Sequence, residues 1–285
     1  EQAGLPKGVF NVITGRAGAI GGELTSNPVV RKISFTGSTE VGRELMRQSA
    51  DTIKKLSMGL GGNAPFLVFD DADVDAAVEG AMISKFRNGG QTCVCTNRFY
   101  VQDGVYDEFV AKLAKRVSGL KLGRGIESGV EIGPLIDAPA VAKVEEHLQD
   151  AVAGGAKVLA GGKRSDLGGT WFEPTVVANV TNDMVIAREE IFGPVLVIMG
   201  YDSVDHAIEI ANDSDFGLAG NVAGANLETA RAVARRMRAG SVGINNGFDF
   251  NAPFGGYKRS GNGREWGEFG FHEYLEIKAI LGYAP

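Results

Sequence analysis

The sequence predicts an α/β protein with a largely parallel sheet. Short apolar runs alternate with segments of helical period along the whole chain, Gly, Pro and Asp punctuate the joins, and no internal repeat or low-complexity tract intervenes. With 285 residues the chain can bury a full core as one large or two medium domains. A composition of 44% hydrophobic and 22% charged residues is that of a soluble globular protein.

Val9 to Ile13 and Val29 to Phe35 read as short buried strands, and Thr39 to Ser49 as a helix with Val41, Leu45 and Met46 on one face. Before that helix, Gly37 lets the backbone approach a ligand and Ser38 or Thr39 can cap it. The free N–H groups there favour an anion, although an ordinary capped helix is the plainer reading. No Lys-Ser/Thr follows, so this is not a P-loop. Pro65 to Phe69 is a further apolar run. Asp70-Asp71-Ala72-Asp73 then leads into a helix from Val74 to Arg87, with Ala77, Val78, Ala81 and Met82 at helical spacing; the aspartates suit a helix cap better than a metal.

Asn97 to Gln102 reads as a strand and Val105 to Leu120 as an amphipathic helix. Asp137 caps a helix reaching Val152, with Pro139 in its first turn and Gly154-Gly155 beyond its end. Strands at Lys157 to Ala160, Thr175 to Val180 and Val195 to Met199 precede helices at Val204 to Ala211 and Leu227 to Arg238. Ser241 to Asn245 is the last strand.

Both cysteines of the chain, Cys93 and Cys95, fall in Phe86-Arg87-Asn88-Gly89-Gly90-Gln91-Thr92-Cys93-Val94-Cys95, just past a helix. A disulfide between them would close a small strained ring, a poor staple and a plausible redox switch. Two thiols this close and three scattered histidines (His147, His206, His272) make no zinc set. Either a reactive thiol or two inert buried ones remain. A net charge of -6 leaves no basic excess for nucleic acid or an anionic membrane. No apolar run is long enough to span a bilayer and no leader is recognisable, so the expectation is cytoplasmic.

Phe-Arg-Asn-Gly-Gly-Gln-Thr-Cys resembles the nucleophile loop of the NAD(P)-dependent aldehyde dehydrogenases. Phe35-Thr36-Gly37-Ser38-Thr39-Glu40-Val41-Gly42, Leu60-Gly61-Gly62-Asn63-Ala64-Pro65, Glu189-Glu190-Ile191-Phe192-Gly193-Pro194 and Ala252-Pro253-Phe254-Gly255-Gly256-Tyr257-Lys258 resemble the same family in the same order. The resemblance implies a partial Rossmann-like dinucleotide domain over 1–61, a catalytic domain over 62–255 and a returning segment over 256–285. It also implies that family members are longer at the N-terminal end, and that NAD or NADP is the cofactor and a small-molecule aldehyde the substrate. Homo-oligomers are implied too. By the same resemblance Cys93 attacks the aldehyde, Gly37, Ser38 and Leu60 lie near the cofactor, and Glu190 and Phe192 hold its nicotinamide ribose and ring. Glu276 matches a proton-relay glutamate.

At one position the chain departs from this pattern: where the family places its general-base glutamate, before Leu60-Gly61-Gly62, stands Gly59. The expected consequence is slow deacylation of a Cys93 thioester. Arg87 and Cys95 resemble the succinate-semialdehyde branch, where such an arginine binds the distal carboxylate and the second cysteine pairs with the first under oxidation. The tail from Asn251 through Gly263-Arg264-Glu265 resembles general aldehyde members instead. Two other readings stand beside a dehydrogenase: a non-catalytic truncated relative, and a cofactor-independent thiol esterase.

Overall fold

The computed structural model describes residues 2–282. The first part of the chain builds a small layer: α1 (Ala17–Ser26), β1 (Lys32–Thr36), α2 (Thr39–Ser49) and β2 (Lys55–Gly59). β1 and β2 pair in parallel, Lys32 opposite Lys55 through Thr36 opposite Gly59. Val9 to Ile13 forms no strand; these residues are exposed and pair with no strand among the described residues, and an apolar run without a ladder partner leaves its backbone groups to water. The second expected strand starts later, at Lys32, leaving Val29 84% exposed. α1 lacks a strong sequence signal because Gly18, Gly21 and Gly22 lower its helix propensity. β2 lacks one because Lys55, Ser57 and Gly59 break an apolar run.

The body follows. It comprises β3 (Ala64–Val68), α3 (Val74–Phe86), β4 (Thr96–Gln102), α4 (Tyr106–Ser118), α5 (Ala138–Ala153), β5 (Lys157–Ala160), β6 (Thr175–Ala178), α6 (Val185–Arg188), β7 (Val195–Tyr201), α7 (Val204–Asn212), β8 (Phe216–Gly217), β9 (Ala219–Ala223), α8 (Leu227–Arg236) and β10 (Ser241–Ile244). Seven strands form one sheet in the order β10-β9-β3-β4-β7-β6-β5. All neighbours are parallel except the edge pair β5 and β6. Every residue of β3 is buried, as expected of a central strand covered on both faces. Phe66 stacks on its register partner Phe99 with centroids 5.4 Å apart. One apolar cluster unites Leu67, Tyr100, Val144, Ile186 and Val197, and a second unites Phe66, Phe99, Phe109, Leu113 and Ile198; neighbouring strand residues fall in different clusters, so the sheet separates them. β9 is a strand that its Gly-Asn centre disguised.

β11 (Tyr257–Lys258), β12 (Gly261–Asn262) and α9 (Gly267–His272) are the last elements among the described residues. β12 returns to β2, antiparallel, as the third strand of the small sheet. No helix among the described residues is long and apolar enough to cross a membrane.

Candidate active site

α3 starts on Asp73, whose carboxylate accepts the Ala76 N–H at 3.0 Å, so this aspartate is a cap. Its neighbour Asp71 accepts the N–H groups of Ala225 and Asn226, and no cluster of potential metal ligands occurs among the described residues. The helix ends at Phe86, and the chain reverses through Asn88, Gly89 and Gly90, with φ of 53°, 61° and 76°. Gly90 has a second reason to be glycine: a Cβ there would lie 2.1 Å from the carbonyl oxygen of Gly193, so the two loops touch backbone to backbone. A Cβ on Gly62 would lie equally close, 2.1 Å, to the carbonyl of Cys93. Ile136 N–H donates to Gln91 Oε1 at 2.9 Å and ties the loop to the segment before α5.

Cys93 is half-buried and lines a cavity of about 1010 Å³. The other walls are Thr36 to Glu40 at the start of α2, Gly59 to Gly61 after β2, Ala140 and Lys143 of α5, the Arg188 to Phe192 loop, and Asp215, Phe216 and Arg259. The cavity therefore brings together Cys93, Gly37, Ser38, Gly59, Leu60, Glu190 and Phe192. Ser38 Oγ accepts the Val41 N–H at 3.3 Å, leaving the first N–H groups of α2 open to the cavity. Phe192 holds φ at 54°, a strained conformation for a bulky residue, at the cavity wall.

Three expected residues are elsewhere. Arg87, the first residue past the end of α3, is exposed and does not line the cavity, whereas Gln91, Thr92 and Cys93 beyond the turn do. Glu276 is exposed beyond α9 and does not line it either. Cys95 is 2% exposed, its Sγ 2.7 Å from Thr92 Oγ1 and donating to Lys85 O at 3.3 Å; both thiols are free.

Sequence reasoning missed four residues. Lys143 lines the cavity and donates through Nζ to the Glu190 carbonyl at 2.5 Å. Lys85 is fully buried and donates to Asn97 Oδ1 at 2.7 Å; Asn97 donates to Asn63 Oδ1 at 3.2 Å, and Asn63 to the Ala187 carbonyl at 2.8 Å. Arg259, paired with Asp215 at 2.7 Å, forms part of the rim. Glu265 places Oε1 3.6 Å from where a Gly59 Cβ would stand, with Thr36 Oγ1 at 3.4 Å. Only Glu265 had a signal, the Gly263-Arg264-Glu265 run, which suggested kinship but no role.

Electrostatics make the thiol reluctant. Burial and then the Glu190 carboxylate push the Cys93 thiol up, and the N–H groups of Cys93 and Val94 only partly offset this. Burial pushes Glu190 up as well, against the Gly62 N–H, which donates to its Oε1 at 2.9 Å, and the Lys143 charge. Burial lowers Lys85 to about 8, with Cys95 and Glu190 acting in the opposite sense. With its thiol pushed up, Cys93 ionises near neutral pH only with help from a positive field, a helix dipole or a base.

The family model described as the aldehyde dehydrogenase family matches residues 1–280. Over 282 residues the chain is 58% identical to glutarate-semialdehyde dehydrogenase of Pseudomonas aeruginosa, covering 98% of this chain and 58% of that protein. It is 56% identical over 279 residues to the NADP(+) succinate-semialdehyde dehydrogenase of Escherichia coli, covering 97% and 58%. A crystal structure of an aldehyde dehydrogenase C mutant from Pseudomonas syringae with NAD+ and octanal superposes with a TM-score of 0.95 at 41% identity, over all of this chain and 59% of that one. The chain thus spans 58% of the length of these curated relatives. By sequence and by fold, it belongs to the aldehyde dehydrogenase family.

Proposed function

We propose that this chain carries the nucleophile and the nicotinamide-side half of an NAD(P)+-dependent aldehyde dehydrogenase that oxidises an aldehyde to a carboxylic acid. The observation that supports this most is one cavity shared by Cys93, the N-terminus of α2 and the Glu190 to Phe192 loop. Residues 1–61, 62–255 and 256–285 act in this reading as partial cofactor domain, catalytic domain and returning segment.

The residues suit a dinucleotide. Open N–H groups at α2 favour a pyrophosphate, and a side chain on Gly61 would collide with Glu190 Oε2, 2.6 Å from its Cβ position, in the space a ribose would need. When bound, the dinucleotide supplies the hydride acceptor. Cys93 Sγ adds to the aldehyde carbon, and backbone N–H groups beside the sulfur steady the developing oxyanion. Glu190 and Lys143 would hold ribose hydroxyls of the bound dinucleotide, and Phe192 would limit the position of its nicotinamide ring. Loss of hydride from the thiohemiacetal leaves a Cys93 thioester, which water hydrolyses. Gly59 supplies no carboxylate for that last step.

The names of the relatives point to semialdehydes, and we assign Arg87, which is exposed outside the cavity wall six residues before Cys93, to a distal carboxylate that reaches beyond that wall. Arg87→Ala should raise KM for succinate semialdehyde and leave propanal unchanged. Homo-oligomers belong to the same reading, supported by β1 at the open edge of its sheet.

The test is rapid mixing of the chain with NAD+ or NADP+ and succinate semialdehyde, followed at 340 nm. The expected result is a burst that needs Cys93, then a slow phase. Absence of any reduced cofactor with either dinucleotide would overturn the reading. A second reading, thiol esterase activity, is favoured by the accessibility of Cys93 from a cavity that the half-buried Glu190 also lines.

A further inference from the structure

We infer that Glu190 serves this chain as the base of acyl-enzyme hydrolysis, taking a proton from water through its uncommitted oxygen, Oε2. The inference rests on Cys93 as the acylated nucleophile, and its subject is what replaces the carboxylate that position 59 lacks.

Among the described residues, four carboxylates line the cavity: Glu40, Glu189, Glu190 and Asp215. Glu40 is exposed on the first turn of α2. Glu189 pairs with His147 Nε2 at 3.3 Å, and Asp215 with Arg259 at 2.7 Å. Glu190 differs from all three. One oxygen, Oε1, is fixed by the Gly62 N–H, and Gly62 is also the residue on which the Cys93 carbonyl rests. Its other oxygen accepts no hydrogen bond from the described residues and lies over Gly61, where only the missing side chain leaves room for it. One oxygen anchored and one available is the arrangement a positioned base requires.

The groups facing Glu190 fit the role. Lys143 from α5, Lys85 from α3 and Glu40 from α2 act on it together with Cys93. Burial outweighs the two lysines, so the carboxyl titrates above the ordinary range, nearer the pH at which it would work. While Cys93 is a free thiol the two acidic groups oppose each other's ionisation. Acylation removes the sulfur's acidity and leaves Glu190 the acid that titrates there.

The step balances without a further reactant. The water oxygen bonds to the thioester carbonyl carbon as its proton passes to Glu190 Oε2. The carbon–sulfur bond then breaks, the carboxylic acid departs, and the Cys93 thiolate recovers the proton from Glu190. In the full reaction the same carboxylate would hold ribose first and water second, so the two duties alternate.

The experiment uses p-nitrophenyl acetate and the whole chain without dinucleotide, which separates this inference from the dehydrogenase reading. Glu190→Gln should keep the acylation burst, slow the steady phase on the order of 10²-fold and lose the rise of rate with pH. Glu190→Asp, which keeps the charge, should retain that rise at a reduced rate and guards against a misfolded Gln variant. Steady turnover and pH dependence unchanged in Glu190→Gln, or a pH rise lost only in Glu265→Gln, would overturn the assignment. Turnover that survives Cys93→Ala would remove the nucleophile reading itself, and the inference with it.

Discussion

The two sheets on either side of the cavity are held together differently. In the seven-stranded body, β3 and β7 are buried almost throughout and an apolar cluster lies on each face. In the three-stranded layer, Ile33 is the buried apolar residue of β1, and α2 buries only Thr39, Gly42 and Ser49. Polar ties do more of the work there. Lys54 Nζ donates to the carbonyls of Asn27 and Val30 at 2.7 Å each, and Lys32 bonds Ser57 and pairs with Glu273 from the returning segment. The body is stabilised chiefly by the hydrophobic effect, and the small layer by satisfied backbone and a late-arriving strand.

The sharpest way to break this contrast is to cut into both cores. Phe99→Ala should cost about 3–5 kcal/mol, and Ile33→Ala about 2 kcal/mol. The first should lower the urea midpoint of the whole transition, whereas the second should lower amide protection mainly between residues 17 and 59. Uniform loss of protection from Ile33→Ala would erase the distinction.

Charge inside the body gives a second test. Folded Lys85 titrates at about 8 rather than 10.5, so between those pH values the unfolded chain holds more protons. Stability therefore rises with pH across that window, by about 3 kcal/mol at most, and the penalty is constant below it. Lys85→Met should flatten the slope, read as the difference between urea midpoints of the two proteins at pH 7.5 and 10. A parallel pH dependence in both would remove Lys85 from the account.

The joint between the layers gives the smallest effect. Gly62→Ala should cost about 1–3 kcal/mol, because its Cβ meets the Cys93 carbonyl, whereas Gly59→Ala should stay within about 0.5 kcal/mol. Among the described residues nothing stands closer than 3.4 Å to a Cβ at Gly59, so Gly59→Glu can be accommodated at its root and is the natural gain-of-function control. Thermal midpoints of the two alanine variants check the pair.

Much of this was legible in the residues. The run ending in Cys93, the helix before it and the Glu189 to Pro194 loop each carry local signals: a capped apolar period, paired glycines, and a proline closing a turn. What was not legible depends on long-range pairing. Val9 to Ile13 has the composition of a strand, but composition cannot say whether a neighbour is there to receive its hydrogen bonds. Glu265 reaches Gly59 only because the chain returns to β2 through β12 and an isolated bridge to Phe254. The amine of Lys85 is buried because Asn97, twelve residues on, offers its oxygen, a match no helical period announces.

The contact between Gly90 and Gly193 has a practical corollary for anyone transplanting this chemistry. Because the two segments rest peptide on peptide, with no side chain to absorb a mismatch, neither can be lengthened, shortened or exchanged alone. A graft of the cysteine hairpin into another scaffold must bring its counterpart a hundred positions downstream, or the sulfur will arrive without the carboxylate it depends on.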